Sequence, residues 1–276
     1  MKSERTIIAV VAAAALVYLL IPSKGTDRLV FLQVGQGDAV LVQDGGLTML
    51  IDAGPASETF DAGRRLVLPE LRRLAVQKID VLLITHPDRD HIGGLPAIAD
   101  RIPIGTIIYS SQFDDHPELA RTLREANLSK SQIQKINERG EFMLGKMQVN
   151  VVSPPYGQDD NSKSLFVSIK NGSSSAMLSG DAPSELESWY LSRYRPQRHD
   201  VVMAGHHGSK NSTSSEWLKA LKPNYVVVSC GRGNSFGHPD PSVISRAKEV
   251  DATLLRTDRD GSIEFRPTPQ GYQLRR

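Results

Sequence analysis

The sequence contains a single cysteine, Cys230 in the run YVVVSCG, and that scarcity removes both a disulfide framework and any cysteine-based metal site. A thiol inside a short apolar strand reads as a buried structural residue, not a nucleophile. A surplus of charge is also lacking. The formal net charge is +2, so no general attraction to nucleic acid follows, and any phosphate-binding surface has to be local. No repeat of solenoid period occurs, and no Pro/Gly/Ser-rich linker or charge block divides the chain. With 39% hydrophobic and 23% charged residues, the composition is that of a globular protein able to build a sizeable core. One catalytic-size domain over residues 29–276 is expected, behind a distinct N-terminal segment at residues 1–25.

That segment is directed at a membrane. Lys2 and Arg5 precede an uncharged stretch from Thr6 to Pro22, rich in Ala, Val, Leu and Ile, before Lys24 and Arg28 restore polar composition. Its apolar length falls between a signal-peptide core and the roughly 20 residues that span a bilayer, so both a cleaved signal peptide and an uncleaved anchor stay open. Ser23-Lys24-Gly25 offers a cleavage site compromised by the preceding proline, which favours the anchor. The expected location is the cell membrane, as a single-pass anchor with the catalytic domain outside the cytoplasm; cleavage would release it as a secreted protein.

From Leu29 the chain alternates extended and helical signals. LVFLQVG, AVLVQ and LTMLIDAG read as a strand meander separated by Gly-rich turns, followed by an amphipathic stretch from about Ser57 to Val76. The near-continuous apolar run Ile79 to Thr85 is a buried strand, GTIIYS another, and His116 to Asn127 a helix. The second half repeats the alternation, with helices at Pro183 to Tyr194, near Thr213 to Leu221 and after Pro241. Interleaved meanders and strand-helix units predict an α/β fold of two mixed sheets facing each other with helices outside.

The chemistry concentrates at strand ends. THPDRDHIGG places His86, Asp88, Asp90 and His91 directly behind the strand ending at Thr85. Carboxylates this close raise one another's pKa and repel, whereas a divalent ion reverses the sign and makes them ligands together with the imidazoles. A solvated turn in which Asp90 caps the next helix accounts for any one of these residues, but not for the whole hexapeptide. Asp181 in LSGD, His206 and His207 in GHHGS, and His238 in GHPDP also follow strands. Singly each is a cap or turn residue; jointly they read as convergent ligands.

These motifs, in the order VGQGDAVLVQ, MLIDAG, THPDRDHIGG, SLFVSI, LSGD, GHHGS, GHPDP and RTDRDGSI, resemble the metallo-β-lactamase superfamily, and within it the soluble domain of ComEC-type competence DNA-uptake proteins. The resemblance covers nearly everything from Leu29 onward. It implies a four-layer αββα sandwich carrying one or two divalent metal ions, manganese or zinc and in some cases magnesium, that activate water for hydrolysis. By position, His86 and Asp88 would hold a first ion, Asp90 and His91 a second, with Asp181 bridging and His206 completing the second site. His207, adjacent to His206, would support the ligands or contact substrate, since two neighbouring side chains rarely face one ion. Asp90 would also orient the attacking water, and His238 would meet the scissile or leaving group. Ser209, Lys210 and Asn211 would contact phosphate oxygens, or else only cap the helix that follows. Aspartate at Asp88 replaces the superfamily's usual histidine, and no histidine lies between His116 and His199, so the first ion would have few protein ligands. The oxygen-rich set favours manganese or magnesium over zinc.

The implied activity is a DNA nuclease acting on single strands without base-specific reading, with a separate uptake channel protein as partner. The basic string SRYRPQRHD, with Lys163, Lys170, Lys210 and Arg232, could supply local positive potential, although Arg193, Arg195 and Arg198 also suit a solubilising helix end. Hydrolysis of a small-molecule ester, lactone or lactam, and a non-catalytic DNA-binding or assembly subunit, remain alternatives.

Overall fold

Strands buried on both faces organise the molecule. In the computed structural model, which describes residues 27–155 and 157–275, Leu29 and Phe31 of β1 (Arg28–Phe31) enter one core while Val30 enters another, because successive side chains alternate across a strand. β2 (Val40–Asp44) and β3 (Leu47–Ile51) complete the antiparallel meander. β4 (Ile79–Leu83), β5 (Ile104–Ser110) and β6 (Ile133–Ile136) add to β3 in parallel.

A second sheet begins with the antiparallel β7 (Arg139–Leu144), β8 (Met147–Val152), β9 (Phe166–Asn171) and β10 (Ser174–Leu178). β11 (Val201–Met203), β12 (Tyr225–Val228) and β13 (Thr253–Arg256) extend it in parallel. β14 (Ile263–Thr268) and β15 (Gly271–Leu274) return to the first sheet beside β1. The orders are β15-β14-β1-β2-β3-β4-β5-β6 and β13-β12-β11-β10-β9-β8-β7.

Three apolar layers hold the two sheets and their helices together. Phe31, Met49 and Ile51 meet Val149, Val167, Ala176 and Met203 between the sheets. Outside the first sheet pack α1 (Leu68–Arg73), α2 (Arg89–Ile92), α3 (Leu95–Ala99) and α4 (Pro117–Glu125), through Leu71, Ile92, Leu95 and Leu119. Outside the second pack α5 (Ser184–Tyr194), α6 (Ser215–Leu221) and α7 (Pro241–Glu249), through Leu186, Trp217, Leu218 and Val243. The short α8 (Thr257–Asp260) follows β13. This is the two-sheet α/β sandwich with helices on both outer faces that the sequence predicts.

Two local expectations differ. The helix expected from Ser57 begins only with a π-turn at Gly63–Val67 that runs into α1, because Ser57 and Phe60 bond to each other in a turn. β6 was not foreseen, since IQKI shows no alternation and exposes its two middle residues at the sheet edge. The apolar N-terminal segment lies outside the described residues; among those described, no helix is long and apolar enough to cross a membrane.

Parallel pairing of β3 with β4, and of β10 with β11 and β12, sends the carboxyl ends of these strands to one edge of the sandwich. The loops leaving that edge carry the polar motifs.

Candidate metal centre

Asp181 is the hub. It leaves β10 through Gly180, whose φ of 50° turns the chain, and its amide donates to Ser164 Oγ at 3.2 Å. The buried carboxylate is ringed by four imidazoles: His91 Nε2 lies 3.2 Å from Oδ1, and His86, His206 and His207 Nε2 lie 3.8, 3.7 and 3.7 Å from Oδ2.

Three of the four rings, those of His91, His86 and His207, are aimed by a contact behind them. His91 Nδ1 lies 2.8 Å from Asp52 Oδ2, and Asp52 is fixed by the Thr85 amide at 2.9 Å and the Thr85 hydroxyl at 2.6 Å. His86 Nδ1 lies 3.1 Å from Thr85 Oγ1. His207 Nδ1 lies 3.2 Å from Asp38 Oδ1, and its Nε2 lies 3.1 Å from Asp90 Oδ2. The Asp38 amide in turn donates to the Asp90 carbonyl at 3.2 Å, an approach possible only beside glycine: a Cβ on Gly37 would lie 2.2 Å from that same oxygen. On the sequence argument, neighbouring histidines should face apart. His206 and His207 do not, because both adopt the left-handed conformation, at φ 50° and 54°, which turns both Nε2 atoms toward Asp181.

The donor chemistry fits a divalent cation. His86 Nε2, His91 Nε2 and Asp181 Oδ1 are buried without a hydrogen-bond partner among the described residues, each a cost of about 1–3 kcal/mol unless something fills the gap. Asp38, His91, Asp181 and His207 each offer a ligand atom, all within 4.8 Å of one another, giving two oxygens and two nitrogens and no sulfur.

The protonation pattern agrees. Burial works to lower the His91 and His207 imidazoles, but Asp181, with Asp52 and Asp38 respectively, holds both well above the ordinary histidine value. Burial likewise works to raise Asp90, and the His207 hydrogen bond with the charges of His91 and His207 brings it down to about 2. Protonated imidazoles thus supply the positive charge that a cation would replace on binding, releasing protons.

The other predicted residues are distributed around this hub. Asp88 Oδ2 lies 3.6 Å from His86 Nε2, with its side chain 40% exposed. The His238 ring stands at the rim, 6.0 Å from that of His206 and stacked at 5.7 Å on the exposed Phe236, with Asn234 bonding both its amide and its carbonyl. Ser209 and Asn211 build the turn after His207: the Ser209 amide donates to the His206 carbonyl, and the Asn211 carbonyl accepts from Ser184. Lys210 between them is exposed. His116 stands apart, capping α4 and lying 2.9 Å from Asp160. The Cys230 thiol is buried, and burial pushes it up to about 12.

Two participants escaped the sequence reading, Asp38 in VGQGD and Asp52 in LIDAG. Asp52 follows an apolar run directly, and Asp38 follows one after Gly-Gln-Gly as Asp181 does after Ser-Gly, so the strand-end signal that singled out Asp181 was present at both.

Comparison with known proteins identifies relatives and the family. Competence protein ComA of Neisseria gonorrhoeae is 32% identical over 232 residues, covering 84% of this chain and 31% of that protein. ComE operon protein 3 of Bacillus subtilis (strain 168) is 27% identical over 266 residues, covering 91% of this chain and 34% of that one. Recombination protein 2 of Haemophilus influenzae is 30% identical over 243 residues, with 87% and 29% covered. These relatives are ComEC-type competence proteins, and the chain spans about a third of their length. Among solved structures, CmlA, a diiron beta-hydroxylase from Streptomyces venezuelae, superposes with a TM-score of 0.61 at 17% identity, over 89% of this chain and 55% of that one. The metallo-beta-lactamase fold protein YhfI from Bacillus subtilis gives 0.58 at 12% identity, over 86% and 99%. At those identities the two superpositions speak for the fold alone. Residues 32–232 match the family described as the metallo-beta-lactamase superfamily, and the chain belongs to it.

Proposed function

We propose that this chain is a divalent-metal-dependent phosphodiesterase, a nuclease of ComEC type that cuts DNA strands without reading their bases. The observation that carries the proposal is Asp181, a buried carboxylate approached by four imidazole Nε2 atoms, of which those of His86 and His91 have no hydrogen-bond partner among the described residues. Asp38, His91 and His207 would hold one ion, and His86, Asp88 and His206 a second, with Asp181 common to both. Three carboxylates in that set suit manganese or magnesium, and the imidazoles also admit zinc. A divalent ion supplies Lewis acidity at such a site, lowering the pKa of water and neutralising charge that grows on phosphoryl oxygens.

The chain's own groups would do the rest. Asp90 stays ionised at neutral pH and its side chain is 35% exposed, so it can accept a hydrogen bond from an attacking water and orient it. His238 stands at the rim, its imidazole pushed down by burial and by the charges of His207 and His206, and so can donate a neutral N–H to the leaving oxygen. Lys210 projects from the same loop as His207, where an ammonium can meet a backbone phosphate; Ser209 and Asn211 fix that loop. Contacts of this kind position a strand without specifying its sequence.

The names of the relatives support a place in competence and DNA uptake; the sequence pattern is the basis for adding a separate channel protein as partner and residues 6–22 as a tether that holds the domain outside the cytoplasm. The test is metal analysis of the purified protein, paired with hydrolysis of labelled single-stranded DNA in manganese, magnesium and zinc. Metal content and cleavage should both vanish in Asp181→Ala. Turnover of lactones or lactams with DNA left intact would reassign the substrate, and DNA retained uncut with every metal would leave a binding subunit.

A further inference from the structure

The basic string SRYRPQRHD divides into two roles. Arg198 is structural: it donates to the Lys222 carbonyl at 3.2 Å and Asn224 Oδ1 at 2.6 Å, and lies 3.4 Å from Asp200. Arg195 is different. It caps α5 in the left-handed conformation, at φ 42°, is exposed, and its guanidinium has no partner among the described residues.

Arg195 opens onto a cleft of about 350 Å³ between the last turn of α5 and the outer face of β7, β8 and β9. Arg139, Lys170 and Arg195 line this cleft together with Tyr190 and Tyr194, and no carboxylate does. Lys170 Nζ donates to the Gln197 amide oxygen at 3.3 Å, and the acid that reaches Arg139, Glu141 at 3.7 Å, stands outside the lining. Three cations set against one acid, Glu141 beside Arg139 at the cleft's edge, leave a local positive field, the local surface that a net charge of +2 leaves room for. The two tyrosine rings, with centroids 4.9 Å apart, add an aromatic face beside it.

The location separates this cleft from the metal centre. Lys170 pairs in register with Ser175 at the start of β10, and Gln197 precedes β11, whereas Asp181 and His206 follow the far ends of those strands. We infer that the cleft is a second binding site, for a single nucleic-acid strand, with phosphates on Arg139, Lys170 and Arg195 and a base against Tyr194. Cations beside aromatic rings are the combination by which unpaired strands are held irrespective of sequence. A free nucleotide offers the same phosphate and base, so the experiment separates the two. The inference concerns binding and stands apart from hydrolysis.

The test is fluorescence anisotropy of the full chain with a labelled oligothymidylate, in chelator so that nothing is cut. Lys170→Glu combined with Arg195→Glu should weaken binding at least tenfold and flatten the slope of log K against log salt by about 1.4, two phosphate contacts on a single strand. Tyr194→Ala should weaken the oligothymidylate more than an abasic strand of equal length. Arg193→Glu, the same charge change on an exposed residue outside the lining, should leave affinity unaltered. Unaltered affinity in the Lys170/Arg195 double variant, or an equal loss in Arg193→Glu, overturns the site. An equal loss for thymidine monophosphate overturns the strand in favour of a free nucleotide.

Discussion

Asp52 Oδ2 lies 2.8 Å from His91 Nδ1, and both Asp52 oxygens are also engaged by Thr85. Once a cation replaces the second proton, this contact keeps the remaining one on Nδ1 of His91 and leaves Nε2, which faces Asp181, free to act as ligand. Asp52→Asn keeps the volume but loses the charge that aligns and polarises the ring, so affinity for the metal should fall about 10- to 100-fold. Competition with a chromogenic chelator measures it. Wild-type affinity in this variant would remove His91 from the ligand set.

Asp88 separates the two halves of the centre. Its Oδ2 approaches His86 alone among the four imidazoles, at 3.6 Å, while Asp38, His91, Asp181 and His207 converge without it. Asp88→Ala should therefore lower bound metal from about two equivalents to about one, with loss of DNA cleavage. Elemental analysis after gel filtration gives the stoichiometry. Retention of both equivalents would place the second ion elsewhere.

How far this was legible from the residues depends on where each signal lies. Alternating and continuous apolar runs reveal most strands, because a strand buried on both faces leaves little room for polar residues, as in VLLIT and YVVVS. The hexapeptide from His86 to His91 declares itself because so many ligands in sequence have no other use. Asp38 and Asp52 stayed hidden because one carboxylate after a strand is also an ordinary turn residue, and only folding brings them within reach of His207 and His91. The joint approach of His206 and His207 depends on two left-handed residues, which spacing does not disclose.

Gly37 sets how closely the Asp38 loop seats on the Asp90 backbone. Its φ of 145° lies outside the range that side chains adopt readily, and a Cβ there would come within 2.2 Å of the Asp90 carbonyl oxygen and 2.9 Å of Pro55. Gly37→Ala should cost about 3 kcal/mol, from strain and overpacking together. For a chain of this size that corresponds to a melting temperature lower by about 6–12 °C. Calorimetry of the chelated protein reads the strain free of any contribution from metal. A shift below about 2 °C would mean that the loop moves aside at little cost.

Glu187 and His199 are buried ionisable groups on the second sheet's helical side, and they titrate in different ranges. Glu187 accepts from the Thr213 and Ser214 amides at 2.6 and 2.9 Å, and burial, its largest influence, raises its carboxyl above the usual value. His199 donates Nδ1–H to the Gln197 carbonyl at 2.8 Å and accepts from Ser168 Oγ at 2.8 Å, a neutral tautomer. Burial depresses it from 6.5 to about 4. Between those two values the unfolded chain binds the proton and the folded one does not, so stability rises with pH across that window. His199 neutrality is therefore fully compatible with folding above pH 6.5, and stability declines as pH falls toward 4, by up to about 3 kcal/mol. The metal-centre carboxylates and Glu187 titrate too, so the informative quantity is the difference between wild type and His199→Gln in denaturant midpoint. That difference should shrink or reverse from pH 7 to pH 4.5, because only the wild type is penalised by protonation at residue 199. Parallel pH profiles for the two proteins would show that the imidazole is charged, or solvated, in the folded state.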